Sequence, residues 1–370
     1  MLKKVCLAEL SEKNIIKVAK GKNLPKDYKD KGDYPVIAAG KTIAYFSSHT
    51  NYETNTITIS SSGANAGFVW KHTYPIWASD CTVIQTTEKI DLNYLYLFLL
   101  SKQQLIYSFQ SGAGQPHVYW KDIKNIEINL PSLDQQKQIA KKLDKAQELI
   151  DLRKESITKL DELAKSIFID MFGDPVSNPK GWEVKKLGQL TNVKTGKTPS
   201  RKEPLFWENG TELWATTTEV NKRYIYDTEE KITKYAVDKC NLTVYSENTI
   251  LIAMYGQGKT RGNVVLLKAK STINQAFGAI LSSEKINQLF LLSLLKNSYS
   301  HIRSLGRGGN QENLNLDIVK NLDIISPPID LQNKFAQIIE RIEEQKSLYK
   351  QELKKLEDNF QALLQQSFGE

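Results

Sequence analysis

The chain has 370 residues, of which 40% are hydrophobic and 25% are charged, and its formal net charge is +8 at pH 7. This length suits two to three domains, each able to bury its own core, and the composition is that of a globular protein rather than a disordered one. The longest apolar stretch, residues 94–100, is too short to span a membrane, and residues 1–10 lack the apolar run of a signal peptide.

The three cysteines and the charge distribution limit the class of protein further. Cys6, Cys81 and Cys240 lie far apart and match neither a disulfide framework nor a zinc site, so we expect a cytoplasmic protein with no metal or other cofactor. Residues 1–130 and 175–326 carry net charges of +4 and +7, whereas residues 131–174 and 327–370 carry −1 and −2. Basic segments of this kind can bind nucleic acid, but ordinary surface lysines are an equally good interpretation.

An internal repeat organises the chain. Residues 124–174 align with residues 320–370 without a gap, at an offset of 196, and fourteen positions are identical. A looser match continues upstream, where a predicted strand at residues 55–59 lies over 248–252, and the apolar helix at 94–100 lies over 289–295. The layout is therefore globular segment, helix, globular segment, helix, and each globular segment mixes strands and helices.

Each repeated segment predicts a short strand that ends at a proline and then a long helix, with Asp134 or Asp330 in the N-cap position. Apolar residues recur every 3.5 residues over four heptads, which is typical of a coiled coil. Arg153 and Lys346 interrupt the two seams, either to set the register or as side chains that reach water. A single amphipathic helix packed on a globular body is the alternative, but two such helices can bury each other. The seam residues are Ile139, Leu143, Ala146, Ile150, Ile157, Leu160, Ala164, Ile167 and Met171, and then Phe335, Ile339, Ile342, Tyr349, Leu353, Leu356, Phe360 and Leu363.

The whole chain resembles the specificity subunits of Type I restriction-modification systems. The resemblance rests on the tandem layout, on the helices entered through residues 128–131 and 324–328, on the junction at 172–175 (FGDP) with Gly181 and Trp182, and on residues 195–200 (TGKTPS). The first globular segment departs from the pattern, since it has KGKNLP at residues 20–25, and transfer of individual residues is weaker there.

The resemblance implies an α+β fold class. Two mixed α/β target recognition domains, 1–130 and 175–326, would be separated by two long antiparallel coiled-coil helices, 131–174 and 327–370, in a pseudo-two-fold internal repeat. It also implies double-stranded DNA as a partner, together with two methyltransferase subunits and two restriction (translocase-nuclease) subunits. The first helix is roughly 50 Å long at 1.5 Å per residue, enough to hold two domains about one DNA turn apart. Because the two domains differ in sequence, we expect an asymmetric, interrupted target.

Glycine-containing loops are the best candidates for contacts with DNA, because glycine lets the backbone approach closely and neighbouring side chains can then reach phosphates or base edges. Arg and Lys can address guanine, and Asn and Gln can address adenine. For any one of these residues, a solvated loop side chain is an equally good interpretation. The candidates in the first domain are Lys20, Lys22, Lys41, Ser61, Ser62, Asn65, Gln115 and His117. Those in the second domain are Lys194, Lys197, Thr198, Ser200, Arg201, Lys202, Thr216, Thr217, Thr218, Tyr255, Gln257, Lys259, Arg261, Arg307, Asn310 and Gln311.

Fragments that imitate catalytic motifs all lack a required residue. The Gly-Lys-Thr of residues 258–260 has Ala253 where a phosphate-binding loop needs glycine, and Ser326-Pro327-Pro328-Ile329 lacks the Asn or Asp and the aromatic residue of a methyltransferase tetrapeptide. The four histidines form no metal spacing. We therefore expect a non-catalytic recognition subunit. A self-contained DNA methyltransferase and a coiled-coil scaffold that binds no nucleic acid are the alternatives.

Overall fold

The computed structural model describes residues 3–112, 114–256, 258–306 and 313–369. The chain divides into two compact units: unit 1 is Met1–Glu155 with Lys350–Glu370, and unit 2 is Ser156–Tyr349. Each unit combines a mixed α/β domain with one part of each of two 40-residue helices.

Unit 1 is built on a four-stranded antiparallel sheet of order β2-β8-β5-β6, accompanied by a three-stranded sheet of order β4-β3-β7 and by the pair β1-β9. All five residues of the central strand β5 are buried, and the apolar helix α2 packs over the sheet. The strands are β1 (Lys3–Cys6), β2 (Ile16–Lys20), β3 (Lys29–Ile37), β4 (Tyr45–Ser47), β5 (Thr56–Ser60), β6 (Val69–His72), β7 (Trp77–Ala78), β8 (Cys81–Thr86) and β9 (Glu127–Leu130). The helices are α1 (Leu7–Glu12), α2 (Leu92–Ser101), α3 (Gln103–Ser108), α4 (Trp120–Ile123) and the first part of α5 (Leu133–Phe172).

Unit 2 repeats this plan with a five-stranded sheet of order β11-β18-β15-β16-β13, a three-stranded sheet of order β14-β12-β17 and the pair β10-β19. The strands are β10 (Val184–Lys186), β11 (Val193–Thr195), β12 (Glu212–Ala215), β13 (Tyr224–Ile225), β14 (Lys231–Ile232), β15 (Ile250–Ala253), β16 (Val264–Leu267), β17 (Thr272–Ile273), β18 (Phe277–Ile280) and β19 (Asp323–Ile325). The helices are α6 (Leu187–Leu190), α7 (Lys234–Lys239), α8 (Gln288–Asn297), α9 (Tyr299–Ser304), α10 (Leu316–Lys320) and α11 (Ile329–Phe368).

The offset of 196 residues seen in the sequence extends through the fold of the two units. The strands β8 and β18 begin 196 residues apart, and so do the helix pairs α2 and α8, α3 and α9, α4 and α10, and α5 and α11. The α+β fold class with an internal repeat is therefore confirmed.

The two long helices begin two residues earlier than the sequence predicted. The first helical residues are Leu133 and Ile329, so Asp134 and Asp330 lie in the first turn and the N-cap prediction was wrong. At α5 the preceding residue, Ser132, does the capping. Its backbone amide donates to Gln135 Oε1 at 3.2 Å, and its Oγ accepts from the Gln135 amide at 3.4 Å. The aspartates still stabilise the helices, because negative charge in a first turn favours the helix dipole.

Within unit 2, α5 and α11 run antiparallel and bury the predicted seam. Asp161 of α5 forms an ion pair with Lys346 of α11, and further along α5 Phe168 packs edge-to-face with Phe335, with ring centroids 5.5 Å apart. Lys346 is only 6% exposed, so it does not reach water. It joins the facing helices instead. Within unit 1 the seam residues of both helices belong to one core with α2, including Leu143 and Phe360.

A buried glutamine connects each long helix to its own domain. In unit 1, Gln136 Oε1 accepts a hydrogen bond from the Asp91 amide at 2.9 Å, and its Nε2 donates to the carbonyl of Pro131 at 2.9 Å. In unit 2, Gln332 makes the same two bonds, to the amide of Asn287 at 3.0 Å and to the carbonyl of Pro327 at 2.8 Å. Asp91 and Asn287 are the N-caps of α2 and α8. The glutamine therefore fixes the start of the apolar helix against the long helix.

Candidate nucleic-acid interface

In unit 1, the antiparallel order brings the end of β2, the end of β5 and the start of β8 to one edge of the sheet. Lys20 pairs with Thr82, and Ser60 pairs with Cys81. The loop that follows β2 is held there by its backbone: the amide of Lys22 donates to the carbonyl of Ala78 at 3.0 Å. Lys20 and Lys22 are both exposed. Two lysines are thus presented on a fixed loop.

Only glycine can occupy position 21 in this loop. A Cβ atom built on Gly21 would lie 1.8 Å from the carbonyl oxygen of Ser79, far inside any contact distance. The Trp77 indole adds a further anchor, because its Nε1 donates to the Lys22 carbonyl at 2.7 Å. The close approach of two backbones explains why the sequence has glycine between two lysines.

The polar loop after β5 is mostly internal. Ser61 and Ser62 are 2% and 5% exposed, and the Ser62 hydroxyl donates to a carboxylate oxygen of Asp80. The amide of Val118 donates to the Ser61 carbonyl at 3.1 Å, which brings the half-buried His117 next to Ser62. The two predicted serines therefore position this edge from inside.

Three further candidates border the same edge. The ammonium group of Lys41 lies 5.5 Å from the centre of the Phe68 ring. The backbone amide of Phe68 in turn donates to the carbonyl of the half-buried Asn65 at 3.0 Å. Gln115 is exposed. The structure thus brings the eight candidates of unit 1 together at one place. We call its exposed and half-exposed members, Lys20, Lys22, Lys41, Asn65, Gln115 and His117, edge 1.

Unit 2 has an equivalent loop, although its sequence is different. A Cβ atom on Gly196 would lie 1.9 Å from the Ile273 carbonyl oxygen, and the amide of Lys197 donates to that same oxygen at 3.1 Å. The hydroxyl of Thr198 donates to the side chain of Gln275. The glycine and lysine of TGKTPS at residues 195–200 thus correspond in geometry to Gly21 and Lys22. From the sequence, KGKNLP at residues 20–25 was interpreted as a departure from this pattern.

The threonine segment of unit 2 reaches the same edge. The amide of Asn274 donates to the carbonyl of Ala215 at 3.0 Å, which places the following residues beside the Gly196 loop. Thr216 is buried, Thr217 is half-buried and Thr218 is exposed. The Thr216 amide donates to Glu219 Oε2 at 2.9 Å. Burial raises the pKa of the Glu219 carboxyl.

Arg201 is held between aromatic rings and an acid. Its guanidinium carbon lies 3.8 Å from the centre of the Trp207 ring and 4.9 Å from that of Trp214, and it forms an ion pair with Glu230. Its side chain is still half-exposed. The neighbouring Ser200 and Lys202 are exposed. Arg201 is therefore preorganised rather than freely mobile.

The hairpin loop after β15 supplies a further part of the edge. The Met254 amide donates to the Ala276 carbonyl at 2.8 Å, and the adjacent Tyr255 is 39% exposed. Lys259 is exposed, whereas Arg261 is 7% exposed and lies inside the unit. We call the exposed residues Lys197, Thr198, Ser200, Lys202, Thr218 and Tyr255 edge 2.

Lys194 is exposed but lies on β11 itself, opposite Ala279. The predicted residues Gln257, Arg307, Asn310 and Gln311 lie outside the described residues.

The sequence analysis missed two residues at these edges. Asp80 and Gln275 precede the central strands β8 and β18, and they accept from Ser62 and Thr198 respectively. The signal that could have found them is their position, because Asp80 directly precedes β8 and Gln275 is separated from β18 by Ala276 alone, and both strands are buried and run beside the glycine loops.

The described residues offer no metal site and no membrane-spanning helix. No cluster of His, Cys, Asp and Glu within the described ranges could hold a metal ion, and no helix there is long and apolar enough to cross a membrane. His72 is fully buried, its Nε2 lies 2.8 Å from the Thr58 hydroxyl, and burial lowers its pKa to about 4. It is a neutral core residue.

Two tandem units that present the same kind of lysine-bearing loop edge define a duplicated binding protein. The sequence model of the Type I restriction modification DNA specificity domain matches residues 3–162 and 179–358. The chain belongs to this family, as its resemblance predicted, and its function is DNA sequence specificity in a Type I restriction-modification system.

Known relatives agree with this assignment. The chain is similar to the Type I restriction enzyme MjaVIII specificity subunit of Methanocaldococcus jannaschii, with 26% identity over 93% of this chain and 88% of that protein. It is 25% identical to the EcoR124I/EcoR124II specificity subunit of Escherichia coli, over 86% of this chain and 81% of the relative. Its fold is similar to the crystal structure of a Type I restriction-modification S subunit from M. genitalium, with a TM-score of 0.62, 18% identity, and coverage of 100% of this chain and 96% of that one.

Proposed function

We propose that this chain is the non-catalytic subunit that reads an asymmetric, interrupted DNA target, with one half-site bound at edge 1 and the other at edge 2. The observation that carries the proposal is the repetition of one loop, in which Gly21 and Lys22 in unit 1 match Gly196 and Lys197 in unit 2. A duplicated binding edge suits a target with two half-sites.

The exposed side chains at the two edges suit DNA. Lys20, Lys22 and Lys41 at edge 1, and Lys197 and Lys202 at edge 2, can neutralise phosphates, which supplies affinity without sequence preference. The polar side chains beside them differ between the edges, and they would read bases. Different residues on one repeated scaffold support two different half-sites.

The long helices carry a feature that suits protein partners. Leu152 and Leu348 are identical positions of the repeat, and they are 49% and 52% exposed. Large apolar side chains repeated on otherwise charged helix surfaces favour contact with another protein. We propose that residues 131–174 and 327–370 are spacer helices that dock two methyltransferase and two restriction subunits in the cytoplasm. The domains 1–130 and 175–326 would then read the DNA.

A domain exchange tests the proposal. Residues 176–320 are replaced by the matching segment of another family member, and the product is combined with methyltransferase subunits. The methylated sequence is then determined genome-wide. We expect one half of the motif to change and the other to stay, because each edge is built within its own unit.

Two controls complete the experiment. The exchange of residues 1–123 should change the opposite half of the motif. The purified chain alone should transfer no methyl group to DNA, and transfer by the chain alone would instead support a self-contained methyltransferase. If both halves changed together in either exchange, reading by independent edges would be wrong. Absence of DNA binding by the complete assembly would favour a scaffold.

A further inference from the structure

Each unit has a cavity beside its long helices at the same positions of the repeat. In unit 2 the cavity has a volume of about 410 Å³ and lies where α5 meets the α8–α9 turn, with Asp161, Ala164 and Lys296 in its wall. In unit 1 the volume is about 470 Å³. Its wall has Glu357, Phe360 and Leu100 at the three matching positions, each 196 residues away. The two cavities are one feature of the fold with different linings.

The lining of the unit 2 cavity is strongly charged. Arg223 Nε lies 3.0 Å from Glu343 Oε1, and both side chains are one-fifth exposed. Lys346 pairs with Asp161 and lies 3.7 Å from Glu343 Oε1. With Lys296 present, the cations outnumber the acids around the cavity.

Lys296 is the unusual member of this group. It is half-buried, and its ammonium group forms no hydrogen bond or ion pair with any residue that the structure describes. Burial and the nearby Arg223 guanidinium lower the pKa of Lys296 to about 8. The charge of Lys346 lowers this pKa further, whereas the carboxylates of Glu343 and Asp161 raise it. Keeping an ammonium in such a place is costly unless an anion joins it.

The fold itself does not require a lysine here. The matching residue of unit 1 is Leu100, and the match for the buried Lys346 is Ile150. The unit 1 cavity has the basic residue Lys154, which is already paired with Glu357 at 3.0 Å. An apolar side chain thus satisfies the same structural position, so the cationic lining of unit 2 is separate from folding.

We propose that the unit 2 cavity is an anion-binding site in which Lys296 and Arg223 hold a carboxylate or phosphate group, and that the unit 1 cavity is not. The volume is large enough for a small molecule or for a side chain of a bound protein. The ligand chemistry is an oxyanion, because an ammonium and a guanidinium that face one space form charge-assisted hydrogen bonds with such groups. No residue of edge 2 lines this cavity, so binding of an anion here can be tested without DNA.

The test follows the ionisation of Lys296 in the full-length chain, whose lysines are labelled with carbon-13 at Cε. The NMR signal of Lys296 is identified by its loss in Lys296→Leu, a variant that has the residue of the matching position in unit 1. If this variant does not fold, the loss of the signal in Lys296→Arg identifies it instead. The pH titration is recorded in chloride and in inorganic phosphate at equal ionic strength. A tenfold preference of phosphate for the charged lysine raises its pKa by about one unit.

We expect phosphate to raise the pKa of Lys296 by at least that amount, and to stabilise the wild-type chain but not Lys296→Leu against thermal unfolding. Lys334→Leu, which removes an exposed charge elsewhere on α11, is the matched control and should respond like the wild type. Addition of methyltransferase subunits separates the two sources of the anion. A shift of the Lys296 signal without phosphate identifies a partner carboxylate, and no shift identifies a free anion. The cavity is not an anion site if the pKa of Lys296 is the same in chloride and in phosphate and the methyltransferase subunits do not shift its signal either.

Discussion

The buried glutamine of each unit makes the substitution Gln332→Leu a direct test of how the long helix is fixed to its domain. Leucine has nearly the same size but can make neither hydrogen bond, so the amide of Asn287 and the carbonyl of Pro327 lose their partner in a site that is 1% exposed. An unsatisfied buried group costs about 1–3 kcal/mol. Two such groups, partly offset by the apolar gain of leucine, predict a loss of about 2–4 kcal/mol in the unfolding free energy of unit 2.

The assay is urea unfolding combined with hydrogen exchange of the Asn287 amide. The matched variant Gln136→Leu should cost unit 1 a similar amount, because Asp91 and Pro131 lose the same two bonds. The control is Gln337→Leu, an exposed position on α11 that should change stability by less than about 0.5 kcal/mol. If Gln332→Leu behaved like this control, and the Asn287 amide stayed protected, the glutamine would not be what fixes the helix.

Two further predictions concern edge 2 and the core of unit 1. Gly196→Ala forces the loop away from the Ile273 carbonyl and should lower the unfolding free energy by about 1–3 kcal/mol. DNA binding, measured by titration with target DNA, should fall at least tenfold. The control Gly188→Ala, with 3.4 Å of clearance for the new methyl group, should change neither stability nor DNA binding. For His72, the native pKa of about 4 lies below the ordinary value of 6.5, so stability is complete above pH 6.5 and falls as the pH drops towards 4. Urea midpoints across this range should show the fall in the wild type and less of it in His72→Phe, and equal slopes would contradict the assignment.

The sequence predicted the repeat and the long helices well, for a physical reason. A seam with a spacing of 3.5 residues is a local pattern, and the identity of pairs such as Gln136 and Gln332 needs no knowledge of the fold. The burial of these glutamines could not be predicted, because a polar side chain enters a core only when its partners are brought to it from distant segments, here by the N-caps of α2 and α8.

The edges were predicted in part. The predicted glycine-containing loops include side chains that cannot reach a ligand, because Ser61, Ser62 and Arg261 are buried. A polar residue type does not predict exposure, since a partner such as Asp80 can satisfy a hydroxyl such as that of Ser62 in the interior. The loop that contains Gly21 was interpreted as a departure from the pattern at Gly196, because the geometric match depends on the closeness of two backbones, to Ser79 and to Ile273, rather than on the flanking side chains. Contact between these edges and DNA stays a prediction.

The membership of each long helix in both units affects how the protein is synthesised. The core of unit 1 includes Phe368, whose ring centre lies 5.2 Å from that of Tyr94 and 5.9 Å from that of Phe98. Unit 1 also contains Lys350–Glu370, although its domain leaves the ribosome before this segment is translated. The apolar helix α2 must therefore wait, with part of its surface uncovered, until more than 200 further residues have been translated. At about 5–20 residues per second this delay lasts on the order of ten seconds or more, during which a chaperone or a neighbouring nascent chain can compete for that surface.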